Sequence, residues 1–254
     1  MLKFTDFITF VDEVTTLTSE KINIIFDSNI NNPRLKEDGS PVTEADIFVE
    51  EFIRQQISYR FTDHDIIGEE LTDKMSNNLD MWIIDPIDGT FNFVRGVPMF
   101  GTLVGYLYEN RPIYGSLRLP RFNNDLIVGN NEICLLNNSK IVTSRFEGWS
   151  NALILTTDEG RVLESKISKE WQNLKMMGSN FRTWGDCYGY YLVCHGKADA
   201  MLDLDLKSHD IMPLIPILRG AGVSIIDLSE KNDYSSIIAC KPEIEDEMKM
   251  KFLT

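Results

Sequence analysis

Apolar residues recur at three- and four-residue steps at the start of the chain: Phe4, Phe7, Ile8, Val11 and Val14, then Leu17, Ile24 and Ile25. That spacing lines one face of a helix and predicts an opening amphipathic segment. Residues 29–39 break the pattern with Asn31-Asn32-Pro33 and Asp38-Gly39, which read as a loop or hairpin tip. A second helix is expected after Pro41-Val42, with Phe48, Val49, Phe52, Ile53 and Ile57 along one face. Thr43 followed three residues later by Asp46 resembles a capping box, with Asp where Glu or Gln is usual.

The period then shortens. Asp65-Ile66-Ile67-Gly68 reads as a short strand ending in Glu69-Glu70. Met81-Trp82-Ile83-Ile84 reads as a buried strand, followed by Asp85-Pro86-Ile87-Asp88-Gly89-Thr90 as a tight turn. Three β-rich runs, 100–108, 113–119 and 125–128, follow as a meander. Strands at 152–156, 200–204 and 223–227 alternate with helices at 158–174 and 187–195, and with one from Asp210 toward Gly220. Gly178-Ser179-Asn180 ends the first of these helices, and Pro216 should kink the last unless it starts late. No repeat or low-complexity linker divides the chain, so residues 1–254 are expected to form one domain. Its two halves, about 1–145 and 146–254, would share one site. Helices alternating with mostly antiparallel strands favour a layered α/β sandwich over a doubly wound parallel sheet.

Composition narrows the class. Hydrophobic residues at 43% and charged residues at 25% are ordinary for a globular protein and exclude disorder. No run approaches the roughly 18 apolar residues of a membrane span. The first twenty residues carry Asp6, Asp12 and Glu13 and lack the basic start of a signal peptide, so a cytoplasmic location is expected. Cys134, Cys187, Cys194 and Cys240 form no C-x-x-C pair and are expected to be reduced, mostly buried thiols. With 39 acidic and 25 basic residues the net charge is −14, which disfavours nucleic acid and anionic membranes as partners. It also repels a phosphorylated metabolite unless something local reverses the sign.

Common catalytic signatures are missing. There is no G-x-S-x-G elbow and no phosphate loop, and Gly220-Ala221-Gly222 lacks the third glycine of a dinucleotide fingerprint. His64, His195 and His209 lie far apart, so zinc is not expected, and each histidine reads as a surface or satisfied core group. The distinctive feature is carboxylates at the ends of apolar strands. Asp85 and Asp88 flank a proline that stiffens the backbone, and Gly89 permits close approach. Hard oxygen donors so placed suit Mg²⁺, and the Gly89 and Thr90 amides would point at an anion if they open a helical turn. In isolation the same hexapeptide is also an ordinary Asp-Gly turn. Glu69 and Asp46 sit at comparable boundaries, and Asp210 opens an apolar helix, where a capping role is worth about 1 kcal/mol. Buried acids are costly unless paired or bound to metal.

Glu69, the run Trp82-Ile83-Ile84-Asp85-Pro86-Ile87-Asp88-Gly89-Thr90-Phe91-Asn92-Phe93, and Asp210, in that order, resemble the inositol monophosphatase family. The resemblance implies an α-β-α-β-α sandwich of the inositol monophosphatase and fructose-1,6-bisphosphatase type. It implies a phosphomonoesterase with two or three Mg²⁺ ions, attack by water without a covalent intermediate, and a homodimer. Carried onto this chain, it implies metal ligation by Glu69, Asp85, Asp88, Asp210 and the Ile87 carbonyl. Gly89 and Thr90 would hold phosphate, while Glu69, Thr90 and Asp46 would serve catalysis.

Residues 95–103 and 182–190 are similar to the histidinol-phosphate phosphatase branch of that family. Histidinol phosphate carries an ammonium and an imidazole, for which Asp186 and Asp203, with Arg182 and Tyr188, are candidate contacts. Asp186 could equally cap the helix that follows it, and Tyr188 could be a plain packed aromatic. Inositol phosphate or nucleotide 3′-phosphate hydrolysis, or a binding protein that kept the fold without the chemistry, are the competing readings. Ser208-His209-Asp210 departs from the family, which usually has Trp before its last metal-binding Asp.

Overall fold

The opening periodicity folds into α1 (Phe4–Asp27), which buries Phe7, Phe10, Val11, Val14 and Ile22, whereas Leu17 and Ile24 fall on the solvent side. The structure is a computed structural model that describes residues 1–28, 33–36, 39, 41–76, 78–177 and 180–253. The Asn31-Asn32 and Asp38 portions of the expected loop, and Gly178-Ser179 of the expected helix break, lie outside the described residues. Antiparallel pairing of β1 (Arg34–Leu35) with β2 (Pro41–Val42) makes a hairpin of the region. The capping box forms at the start of α2 (Glu44–Arg60): Thr43 Oγ1 accepts from the Ala45 amide and Asp46 Oδ2 from the Thr43 amide. The buried stripe of α2 runs through Ala45, Val49, Ile53 and Ile57, leaving Phe48 exposed.

A seven-stranded sheet follows. It consists of β3 (Asp65–Gly68), β4 (Asp80–Asp88), β5 (Gly101–Tyr108), β6 (Arg111–Leu119), β7 (Asp125–Gly129), β8 (Cys134–Leu136) and β9 (Ser139–Ile141), side by side in that order. Only the β3–β4 pair is parallel. The short helix α3 (Thr90–Phe93) follows β4. The second sheet contains β10 (Leu153–Leu155), β11 (Asn180–Arg182), β12 (Ala200–Asp203), β13 (Ser224–Asp227) and β14 (Ile237–Cys240), in the order β11-β10-β12-β14-β13. Its helices are α4 (Glu159–Glu164), α5 (Ser168–Lys175), α6 (Asp186–Cys194), α7 (Ser208–Ile211), α8 (Leu214–Gly220) and α9 (Glu245–Phe252).

Strand alternation sorts these elements into five layers. Trp82, Ile84, Val104 and Tyr106 face α1 and α2, while Leu103, Leu117 and Ile127 face α6 and α8. Met201 and Ala239 of the second sheet meet α6 and α8 from the other side. Ala200, Leu202, Ile238 and Cys240 turn outward onto Trp171, Leu174, Met248 and Phe252 of α5 and α9. The result is the α-β-α-β-α sandwich. Gly115 lets α8 lie against β6, since a Cβ there would fall 1.7 Å from the Pro213 carbonyl oxygen. All four cysteines are buried and free. None of the described helices is long and apolar enough to cross a membrane.

Three expectations are corrected. Residues 85–88 are not a turn but the end of β4, where a bulge breaks the register between Asp85 and Asp88. The helix expected over 158–174 is two helices, separated where Ser165 Oγ accepts from the Ile167 amide and ends the first. The helix expected from Asp210 is also two, α7 and α8; α8 starts at Leu214, so Pro216 falls in a first turn, where the missing amide costs nothing. The short strands β8, β9, β11 and β14 and the helix α9 carried too little periodicity to be read.

Candidate active site

Asp85 and Asp88 are three residues apart, and a regular strand would put them on opposite faces. Three residues of β4 span the step that Leu103 to Gly101 spans on β5, so one extra residue is accommodated. The bulge sends Ile87 into the helix-side core with Trp82 and Ile84, and leaves both carboxylates on the other side, toward α7. Trp82 anchors the strand beneath them, stacking on Phe7 and donating from Nε1 to His64 Nδ1 at 3.0 Å.

Glu69 follows β3, and α2 sets its loop. The buried Glu50 carboxylate accepts from the Glu70 amide at 2.7 Å and the Leu71 amide at 3.2 Å, while Arg54 donates to the Leu71 carbonyl. Lys36 of the hairpin places its Nζ 2.6 Å from both Glu69 Oε1 and Glu70 Oε1. Asp210 is the third residue of α7 rather than its cap, and its Oδ2 accepts from the Lys207 amide at 2.8 Å. Together these elements bring oxygens of Asp85, Asp88 and Asp210 within 4.8 Å of one another. A second group, Glu69, Asp85 and His209, meets the same limit.

Thr90 Oγ1 donates to the Ile87 carbonyl at 2.8 Å and lies 3.3 Å from Asp46 Oδ1. Gly89 has a left-handed φ of 88°, and a Cβ there would crowd the Met99 carbonyl oxygen. Asp186 borders Gly89: Asn92 Nδ2 donates to both Asp186 Oδ2 and the Met99 carbonyl, and the Cys187 amide donates to Asp88 Oδ2. Gly185 takes the capping position of α6, and Asp186 is its first helical residue, with a φ of 49° and its amide on Thr157 Oγ1. Asp203 lies deeper, accepting from the Thr157 amide and the Tyr190 hydroxyl. Tyr188 stacks on Phe122 at 4.5 Å, and Arg182 is exposed beside Trp184.

Burial, with the charges of neighbouring acids, raises the pKa values of several of these carboxyls. Burial, then the charges of Glu69, Asp88 and Asp210, pushes Asp85 well above the usual carboxylate range. Burial, then Asp186 and Asp210, does the same to Asp88. Burial lifts Asp46 to about 6, Asp203 to about 6, Asp186 to about 7 and Glu70 to about 7. Burial works against the Lys36 charge, but its bonds to Glu69 and Glu70 more than offset this and hold it firmly protonated. Among the described residues Asp85 Oδ1 is buried and receives no hydrogen bond. An orphaned carboxylate oxygen ringed by acids fits a bound cation, and the donors are predominantly hard oxygens.

Four residues escaped the sequence reading. Lys36 sat in a polar loop with no pattern to mark it, and Glu50 and Asn92 show their roles only through partners distant in sequence. His209 stands out in the sequence as a departure from the family but not as a ligand, because the three histidines lie far apart in sequence; its partners Glu69 and Asp85 come from just past the end of β3 and from β4.

Comparison with known proteins is consistent with this geometry. The family model described as the inositol monophosphatase family matches residues 9–251. A histidinol-phosphatase of Chlorobaculum parvum is 34% identical over 192 residues, covering 76% of this chain and 74% of that protein. The bifunctional phosphatase IMPL2 of Arabidopsis thaliana is 33% identical over 77% of this chain, which spans 57% of that longer protein. Among solved structures, the extragenic suppressor protein suhB of Bartonella henselae superposes with a TM-score of 0.89 over 97% of this chain and 98% of its own, at 19% identity. The chain belongs to the inositol monophosphatase family, and it is a phosphoric monoester hydrolase.

Proposed function

We propose that this phosphatase hydrolyses histidinol phosphate with Mg²⁺ held by Glu69, Asp85, Asp88, Asp210 and the Ile87 carbonyl. The observation that carries the reading is the juxtaposition of two acidic groups: the cluster around the unbonded Asp85 Oδ1, and Asp186 beside Gly89. The first suits a phosphate bound through cations, and the second suits a substrate that is positive at its other end. Similarity to a histidinol-phosphatase supports the same substrate.

The bound cations would lower the pKa of the attacking water and neutralise the phosphoryl and leaving-group charge. The chain's own residues do the positioning. The Gly89 and Thr90 amides hold the phosphate oxygens, and the Thr90 hydroxyl, backed by Asp46, orients the water with Glu69. Water attacks phosphorus and gives up one proton as the P–O ester bond breaks, and the departing alkoxide takes up one proton from solvent water, giving alcohol and inorganic phosphate. Asp186 faces the substrate ammonium, which favours its ionised form, and Asp203 backs that wall from beneath.

Two measurements test this. Asp88→Asn should lower Mg²⁺-dependent phosphate release by on the order of a hundredfold or more, the usual consequence of losing one preorganised electrostatic group, with an unchanged circular dichroism spectrum. Full activity in that variant removes the metal assignment. The wild-type enzyme should hydrolyse histidinol phosphate far faster than inositol 1-phosphate, and Asp186→Asn should erode that ratio. Equal wild-type rates would leave a general phosphatase.

A further inference from the structure

We propose that His209 donates a nitrogen ligand to the cation position formed with Glu69 and Asp85. This would make it a mixed nitrogen–oxygen position that accepts Mg²⁺ but binds a transition divalent cation such as Zn²⁺ more tightly than the neighbouring all-oxygen position does. The inference rests on the reading that this acidic cluster binds divalent cations, and it adds a donor of different chemistry to one of the two positions.

The geometry is specific. His209 and Asp210 are consecutive on α7, so their side chains leave the helix about 100° apart. Asp210 joins Asp85 and Asp88, while His209 joins Asp85 and Glu69, so Asp85 bridges the two groups. The imidazole is nearly buried, with Nε2 3.3 Å from Asp210 Oδ1 and 4.0 Å from Glu69 Oε1. Asp85, the residue common to both, has its Oδ1 enclosed and without a hydrogen bond among the described residues. The Asp85–Asp88–Asp210 group offers only carboxylate oxygens, the ligands of Mg²⁺, whereas imidazole suits zinc and its transition-metal neighbours. One site would then hold two cations of different character, distinguished by one residue on the first turn of α7.

The test uses the metal-stripped protein with Cu²⁺, an imidazole-seeking ion, as a paramagnetic probe, read by pulsed electron paramagnetic resonance. Bound imidazole should give ¹⁴N modulation in the wild type, absent in His209→Trp. Calorimetry should show the Zn²⁺ affinity of His209→Trp lowered by on the order of tenfold or more, comparable to losses on disturbing a metal's surroundings, with Mg²⁺ affinity unchanged. Cu²⁺ binding without nitrogen modulation in the wild type overturns the inference and leaves the carboxylate site standing. Absence of Cu²⁺ binding overturns both. Because the nitrogen signal is read on the unaltered protein, a folding defect in the variant cannot imitate either result.

Discussion

Asp46 shows what a single side chain does in this site. It closes the capping box of α2 through one oxygen, and its other oxygen lies 3.3 Å from Thr90 Oγ1. In the proposed mechanism capping and water orientation share one carboxylate, and the hydroxyl between Asp46 and Ile87 links helix to strand. Replacing Thr90 with Val keeps the shape and removes that hydroxyl. We expect turnover to fall by about a hundredfold, the lower range for loss of a proton-handling group, with little change in melting temperature. Thr90→Ser should retain most of the rate. Steady-state kinetics on the two variants separates the hydroxyl from the methyl group, and equal losses would assign Thr90 to packing.

Secondary-structure elements position the proposed ligands, directly or through the loop that carries Glu69. The β4 bulge aims Asp85 and Asp88 to one side, the first turn of α7 supplies Asp210, and α2 holds the Glu69 loop through Glu50. Glu50 is fully buried, and its carboxylate accepts from two amides and from Arg54. Glu50→Gln keeps the volume but turns an amide donor toward backbone donors. It should cost about 1–3 kcal/mol, the range for a buried polar group left without its partner, measured by urea denaturation. Divalent-cation affinity should fall alongside stability, since the loop it releases carries Glu69. Unchanged affinity in a destabilised Glu50→Gln would mean that Glu69 is held by other contacts.

At the scale of the molecule the charge of −14 is not spread evenly, because eight acids crowd around one junction of the two sheets. Asp46 and Asp203 rise to about 6, and Glu70 and Asp186 to about 7, against ordinary values of 3.8 for Asp and 4.5 for Glu. A carboxyl whose pKa is raised by folding binds its proton more tightly in the native state. Its contribution to stability is complete below the unfolded pKa and is lost as pH rises through the folded value. The metal-free protein should therefore lose melting temperature between about pH 4 and pH 7. Saturating Mg²⁺ should flatten that loss, since bound cations replace protons and bind only the folded state. Calorimetric scans in chelator and in Mg²⁺ decide this, and parallel pH profiles would show that the cluster does not hold the cation.

The local features were legible because they depend on neighbours in sequence. The 3.6-residue stripe of α1, the Thr43–Asp46 capping box, the meander of β5, β6 and β7 and the acids at strand ends each declare themselves within a few residues. The motif over residues 82–93 with Glu69 and Asp210 was specific enough to point to the family later matched over residues 9–251. Tertiary structure decided what depends on distance in space. The stretch 85–88 looked like a turn because Pro and Gly usually mark one, but pairing with β5 holds it in the sheet and converts the extra residue into a bulge. Lys36, Glu50 and His209 acquired meaning only when strands and helices far apart in sequence met, because the field at a carboxylate is set by every charge within a few ångströms. The chain itself specified which acids it carries and where its elements begin. Packing specified which of those acids share a volume too small for their combined charge, and that shared repulsion makes the junction a place for cations.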